Sequence, residues 1–296
     1  MSNTTTEPFG QATPRHHARR RRAASVLPTL LTLGNVICGF AAIHYAAKPI
    51  DESAFGFSTL SFAGALVFLG MFFDAIDGTV ARLTRSTSDL GAQLDSLADV
   101  ITFGVAPAFM TLRLVSHYYG AAEGNSILGP ADGVWGKLLW AIAAFYVCCT
   151  ALRLARFNAE VRSDKAEDHL YFKGLPSPGA GGTVASLIVL HQYLLHRHAG
   201  IEEGLGFARI AALGIPLVTA IVGFAMVSSI RYSHFANNIL RSRRTFPGLV
   251  RVVLPVLAAI WWPREMLAAG FVIYALSGPI AALARRPRAV GPTPQP

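Results

Sequence analysis

Four aspartates lie where an aspartate is costly. Asp74 and Asp77 sit near the end of an apolar run at 57–82, and Asp95 and Asp99 near the start of another at 91–116. Separations of three and four residues put each pair on one face of a helix. An ionised side chain at membrane depth is expensive unless it is paired, hydrated or metal-bound. The link from Arg82 to Gly91 is short, so the two runs are expected to form antiparallel neighbours and bring all four carboxylates together. Gly78 follows Asp77, and Gly91 precedes Asp95 by one turn. Small residues there permit close approach of a helix or a ligand. Carboxylates gathered in this way repel one another, and divalent cations remove the conflict. Hard oxygen ligands favour Mg²⁺, Mn²⁺ or Ca²⁺ over zinc. Four carboxylates suit two cations roughly 3.5–4 Å apart. Salt-bridged helix pairing explains less, because Arg82 and Arg85 are the only bases nearby and would leave two aspartates unmatched. An ion or proton path is the other reading, but the outer halves of both runs carry no further carboxylate.

The elements that must hold these residues are membrane helices. Of 296 residues, 52% are hydrophobic and only 15% charged, against about 25% charged in a soluble domain. The mean hydropathy is +0.43. This balance excludes a cytosolic enzyme, a disordered chain and a nucleic-acid binder, and makes the lipid bilayer the partner. Apolar runs at 26–46, 57–82, 91–116, 135–157, 177–197, 207–230, 249–263 and 266–284 predict an all-α, polytopic integral membrane bundle of about eight transmembrane helices. Six is the alternative if the last pair is re-entrant. The domains expected are a disordered basic cytoplasmic arm at 1–25, a transmembrane catalytic domain at 26–284 and a disordered tail at 285–296.

Charge orients the bundle. With the N-terminus inside, 20 of the 26 Lys and Arg fall on the cytoplasmic side, among them Arg19 to Arg22, Arg82, Arg153, Arg156, Lys173, Arg231 and Arg285. This positive-inside bias predicts both termini and the four aspartates at the cytoplasmic face of an inner or cell membrane. Arg113 is expected to snorkel to the outer face. Cys38, Cys148 and Cys149 are expected to be buried thiols without a disulfide. The nine histidines have no metal-binding spacing.

The stretch Asp74-x2-Asp77-Gly78-x2-Ala81-Arg82-x8-Gly91-x3-Asp95-x3-Asp99 resembles the signature of the CDP-alcohol phosphotransferase family. The segments LPTLLTLGNVICGF at 27–40, GAQLDSLADVITFGVAPA at 91–108, ALRLARFN at 151–158 and FKGLPSPGAGG at 172–182 are similar to its membrane-bound phosphatidylserine synthase branch. The resemblance runs from about residue 27 to 182. It implies a six-helix core, a homodimer, and transfer of the phosphatidyl group from CDP-diacylglycerol to L-serine with release of CMP. It implies metal ligation by Asp74, Asp77, Asp95 and Asp99 through two divalent cations, Mg²⁺ or Mn²⁺. By the same resemblance Asp99 is the general base, and Gly78, Ala81 and Arg82 line the nucleotide.

The acceptor side is read from the residues. Arg153 and Arg156, three apart, can each grip a carboxylate or a phosphate, although inner-face anchoring explains them equally well. Asn35, Asn158 and Lys173 are further candidates for substrate binding. Pro176 and Pro178 shape the start of the fifth span. Other acceptors stay open: glycerol 3-phosphate, inositol phosphate or choline. An aspartate-based ion transporter is the alternative of another class. No His-x-Lys occurs in the chain, which excludes the soluble phosphatidyltransferase mechanism built on that motif.

Overall fold

A computed structural model of the chain describes residues 15–50, 52–84, 89–119, 134–162, 172–197, 202–232, 255 and 257–284. Almost all of these are helical. In chain order the helices are α1 (Arg15–Ala47), α2 (Thr59–Thr84), α3 (Asp89–Asp99), α4 (Ala106–Tyr119), α5 (Val134–Arg162), α6 (Ser177–Arg197), α7 (Glu202–Val227) and α8 (Pro263–Ala284). Two antiparallel two-residue ribbons complete the fold. β1 (Ser53–Ala54) pairs with β2 (Phe57–Ser58), and β3 (Phe172–Lys173) pairs with β4 (Arg231–Tyr232). The first ribbon turns through Phe55 and Gly56, both at positive φ. This is the tight hairpin turn that suits a right-twisted ribbon, and it sends α2 back along α1.

Six helical stretches among the described residues are long and apolar enough to cross a membrane: Leu27–Ala47, Thr59–Ala81, Leu90–Tyr119, Val134–Glu160, Ala208–Val227 and Pro263–Leu283. They match six of the eight expected runs, and the chain is an all-α polytopic membrane bundle. The run at 177–197 is the helix α6 with those same bounds, but it is not one of the six. Its buried face is small and partly polar, from Gly179 through Ser186, and it packs against α2, α7 and α8. A helix sheltered by neighbours need not satisfy lipid. The run at 249–263 lies largely outside the described residues, with helix at 257–261 leading into α8. The tail at 285–296 is also outside them. The basic cluster from Arg15 to Arg22, expected to be disordered, belongs to α1; alanine and arginine there are strong helix formers.

The third run is not a uniform helix. Between α3 and α4, Val100–Val105 form a π-helical segment beginning directly after Asp99, with Asp99 and Ala106 both in helical conformation. Such wide turns recur at functional sites. Here the segment is tied down on two sides. The Thr102 hydroxyl donates to the Asn35 carbonyl at 2.9 Å, and the Tyr146 hydroxyl to the Phe103 carbonyl at 2.8 Å. Glycines make the first contact possible. A Cβ on Gly39 would stand 2.9 Å from the Thr102 Cα, and one on Gly70 would stand 2.8 Å from the Asn35 Oδ1. The spacing rules that predict an uninterrupted helix do not register an extra residue in one turn.

At the opposite end of α2 from the aspartates, Arg113 donates from Nε to the Ala46 carbonyl (3.0 Å) and from Nη2 to the Lys48 carbonyl (3.1 Å). It thereby satisfies carbonyls that the end of α1 leaves open, so its guanidinium is held by protein rather than simply reaching for water. Cys38, Cys148 and Cys149 are free thiols. Cys148 is exposed rather than buried, because successive residues of a helix point in different directions and only its neighbour Cys149 faces the core. The buried His191 bonds the Ala208 carbonyl through Nε2 at 2.8 Å, joining α6 to α7.

Candidate active site

Asp74 comes from α2, and Asp95 and Asp99 from α3. One carboxylate oxygen from each of the three lies within 4.8 Å of the others. The i, i+4 spacing places Asp95 and Asp99 on one face of α3, and α1, which packs against both α2 and α3, holds Asp74 beside them. Asp77 is also buried, at 4% exposure, and lies within electrostatic range of Asp74 and Asp95. It stands apart from the group of three, however. Its Oδ2 accepts a hydrogen bond from the Thr32 hydroxyl on α1 at 2.8 Å. The fourth carboxylate is thus anchored to a neighbouring helix.

Asp99 is approached on both oxygens. Asn35 Nδ2 approaches Oδ1 at 3.5 Å, and the Ser177 hydroxyl donates to Oδ2 at 3.3 Å. Ser177 is fully buried on the first turn of α6 and also accepts from Arg153 Nη1 at 2.8 Å. Arg153, Ser177 and Asp99 therefore form a chain of contacts from α5 through α6 to α3. The Arg153 guanidinium lies within electrostatic range of Asp99 and Asp74. Its buried Nε has no hydrogen-bond partner, nor have Asp95 Oδ1 and Asn35 Oδ1. Buried polar atoms without a partner in the protein are rare, and water or an ion is among the groups that satisfy them.

The two arginines that the sequence offers equally are separated by the fold. Arg153 is turned into the carboxylate site. Arg156 is 43% exposed and pairs with Glu160 at 3.0 Å. One is half-buried and the other exposed because a three-residue step on α5 crosses the boundary between the covered and open sides of the helix. Asn158 is already engaged, donating from Nδ2 to the Ser96 hydroxyl at 2.9 Å and tying α5 to α3. Asn35 is in the site. Gly78, Ala81 and Arg82 follow Asp77 along the last turns of α2. Lys173 lies on β3, opposite Arg231 of β4; its strand leads through Gly174 and Leu175 to Ser177.

Thr32, Thr102 and Ser177 are the site residues that sequence reasoning missed. A lone hydroxyl in an apolar run resembles a structural residue, and only the neighbouring helix reveals its partner. Ser177, between Pro176 and Pro178, carries the better signal, since a polar residue opening a helix beside two prolines is marked out by position.

The residues present fit a metal. Three hard carboxylate donors lie close together, and one buried Asp95 oxygen has no other partner. This donor set can hold a divalent cation.

The family model of the CDP-alcohol phosphatidyltransferases matches residues 25–223. The chain belongs to that enzyme family. Among similar proteins are three bearing the name CDP-diacylglycerol–serine O-phosphatidyltransferase. The one from Helicobacter pylori is 34% identical over 212 residues, covering 71% of this chain and 73% of that protein. The one from Bacillus subtilis is 30% identical over 212 residues, covering 72% and 92%. The one from Methanocaldococcus jannaschii is 33% identical over 177 residues, covering 59% and 65%.

Proposed function

We propose that this enzyme transfers the phosphatidyl group of CDP-diacylglycerol to L-serine, giving phosphatidylserine and CMP. The family match and the relatives' activity support the reaction. The observation that carries the acceptor is the half-buried Arg153, which approaches Asp99 through Ser177. A planar guanidinium with an unused Nε suits a carboxylate, and serine brings its carboxylate and its hydroxyl on one small frame.

Asp74, Asp95 and Asp99 would hold divalent metal, with Asp77 completing a set for two cations, Mg²⁺ or Mn²⁺. Bound there, the cations would neutralise the donor diphosphate and the charge on departing CMP. The chain's own residues do the rest. Arg153 grips the serine carboxylate and so points the hydroxyl at the β-phosphorus. Asp99 accepts the hydroxyl proton, because a free serine hydroxyl is a poor nucleophile at neutral pH. The new bond joins the serine oxygen to the β-phosphorus, and the bond from that phosphorus to the bridging oxygen breaks. Asn35 and Ser177 keep Asp99 aimed. By the family resemblance Gly78, Ala81 and Arg82 are assigned to the CMP portion, and Lys173 stays a candidate for substrate binding.

The charge distribution supports both termini and the site at the cytoplasmic face of an inner or cell membrane, and the family resemblance supports a homodimer. The test is CMP release by purified protein with CDP-diacylglycerol and Mg²⁺ or Mn²⁺, comparing L-serine, glycerol 3-phosphate, inositol phosphate and no acceptor. CMP release that depends on serine and is lost with EDTA is expected. Preference for another acceptor refutes the serine assignment, and no CMP with any acceptor refutes the reaction.

A further inference from the structure

The family match ends at residue 223, yet α8, well beyond it, packs against the start of α6. Two glycines three residues apart on α6 receive it. A Cβ on Gly179 would stand 2.7 Å from the Tyr274 Cε1, and one on Gly182 would collide with the Phe271 ring. The Thr183 hydroxyl reaches the Phe271 carbonyl at 3.4 Å. From the other side, the buried Tyr232 of β4 donates to the Ala275 carbonyl at 3.1 Å, and its ring lies against Gly278. Burial pushes the Tyr232 phenol up to about 12, with Tyr274 contributing, so it stays a donor at neutral pH.

These contacts fix the rotation of α8. With Phe271 seated on Gly182, Tyr274 one turn later lies over Gly179, two residues past Ser177. Its phenol lies within electrostatic range of the Arg153 guanidinium. Arg153 thus has the Ser177 hydroxyl of α6 at hydrogen-bond distance and the Tyr274 phenol of α8 within electrostatic range, with its Nε unpaired. A guanidinium presents its donors in a rigid plane, so bidentate capture of a carboxylate requires that plane to be set in advance.

We propose that Tyr274 is a positioning residue for the acceptor: it sets the plane of Arg153 from the α8 side, and the C-terminal helix is thereby part of the acceptor pocket. The proposal rests on the reading of Arg153 as the group that grips the acceptor.

The test is Tyr274→Phe in the full-length purified protein. The substitution keeps the ring that fills the Gly179 groove and removes only the hydroxyl. The KM for L-serine is expected to rise ~10-fold, the scale of one polar interaction with a charged group, while the KM for CDP-diacylglycerol and the Tm stay as in the wild type. An unchanged serine KM overturns the proposal. So does a loss of Tm together with a rise in both KM values, which marks a packing role. In the double variant Arg153→Lys with Tyr274→Phe, the serine KM is expected to match that of Arg153→Lys alone; multiplied effects show that Tyr274 does not act through Arg153. The wild-type arm separates the two readings. If the wild type prefers glycerol 3-phosphate, the serine assignment fails. A rise in KM for that acceptor alone in Tyr274→Phe then still supports the positioning role.

Discussion

Ser177→Ala isolates the contact on which the acceptor reading depends. The change removes one oxygen from a fully buried position and adds nothing, so the helix start and its packing are kept. Two interactions go with that oxygen: acceptance from Arg153 Nη1 at 2.8 Å and donation to Asp99 Oδ2 at 3.3 Å. Arg153 Nε already has no partner, so the variant leaves a second guanidinium nitrogen unsatisfied inside the protein. A buried donor left without its acceptor costs about 1–3 kcal/mol. Asp99 retains only the long 3.5 Å approach of Asn35, which lies beyond the usual hydrogen-bond distance. At about 1.4 kcal/mol per factor of ten, the loss corresponds to ~10–100-fold in kcat/KM. The serine KM should rise, because Arg153 loses its orientation, and kcat should fall, because Asp99 loses its aim. The assay is steady-state CMP release with serine and CDP-diacylglycerol varied in turn. A kcat/KM within about twofold of the wild type would refute the reasoning, since the scale of the lost contact excludes so small an effect.

Asp99→Asn is expected to leave a folded protein with no measurable turnover, because an amide cannot accept the serine proton; CMP release near the wild-type rate would remove Asp99 as the base. Arg153→Ala should raise the serine KM by ~10-fold or more, while Arg156→Ala, which breaks only the exposed pair with Glu160, should change it by less than about twofold; equal effects would reject the division of roles. Gly39→Ala should lower the Tm and the activity together, because the new methyl collides with Thr102, whose hydroxyl joins the π segment to Asn35. Overpacking of this kind costs about 1–3 kcal/mol, and an unchanged thermal unfolding curve would show that α1 and the π segment can part there without penalty.

Much of the site was legible because membrane helices obey two strong rules. Apolar length marks where they run, and an ionised residue within them needs a reason. Those rules locate Asp74, Asp77, Asp95 and Asp99 and forecast that a short link brings their helices together. They also locate six of the spanning helices. They do not show that α6, by composition only moderately apolar, is wrapped by its neighbours, because shelter from lipid depends on contacts between distant segments. Nor do they show the π segment after Asp99, which leaves the apolar pattern of the run intact.

The sequence by itself determined the chemistry available: carboxylates at helical spacing, an apolar chain to hold them at membrane depth, and a signature that specifies the family. Local spacing and hydropathy suffice for that, since both are properties of a single segment. Only the tertiary structure decided which side chains meet. It grouped three of the aspartates and tied Asp77 to Thr32. It chose Arg153 over Arg156, placed Ser177 between Arg153 and Asp99, and brought Tyr274 from the far end of the chain to the same arginine. The rotation of each helix about its own axis settles these pairings. That rotation is set by where glycines let neighbouring side chains in, as at Gly39, Gly70, Gly179 and Gly182, and no single segment contains that information.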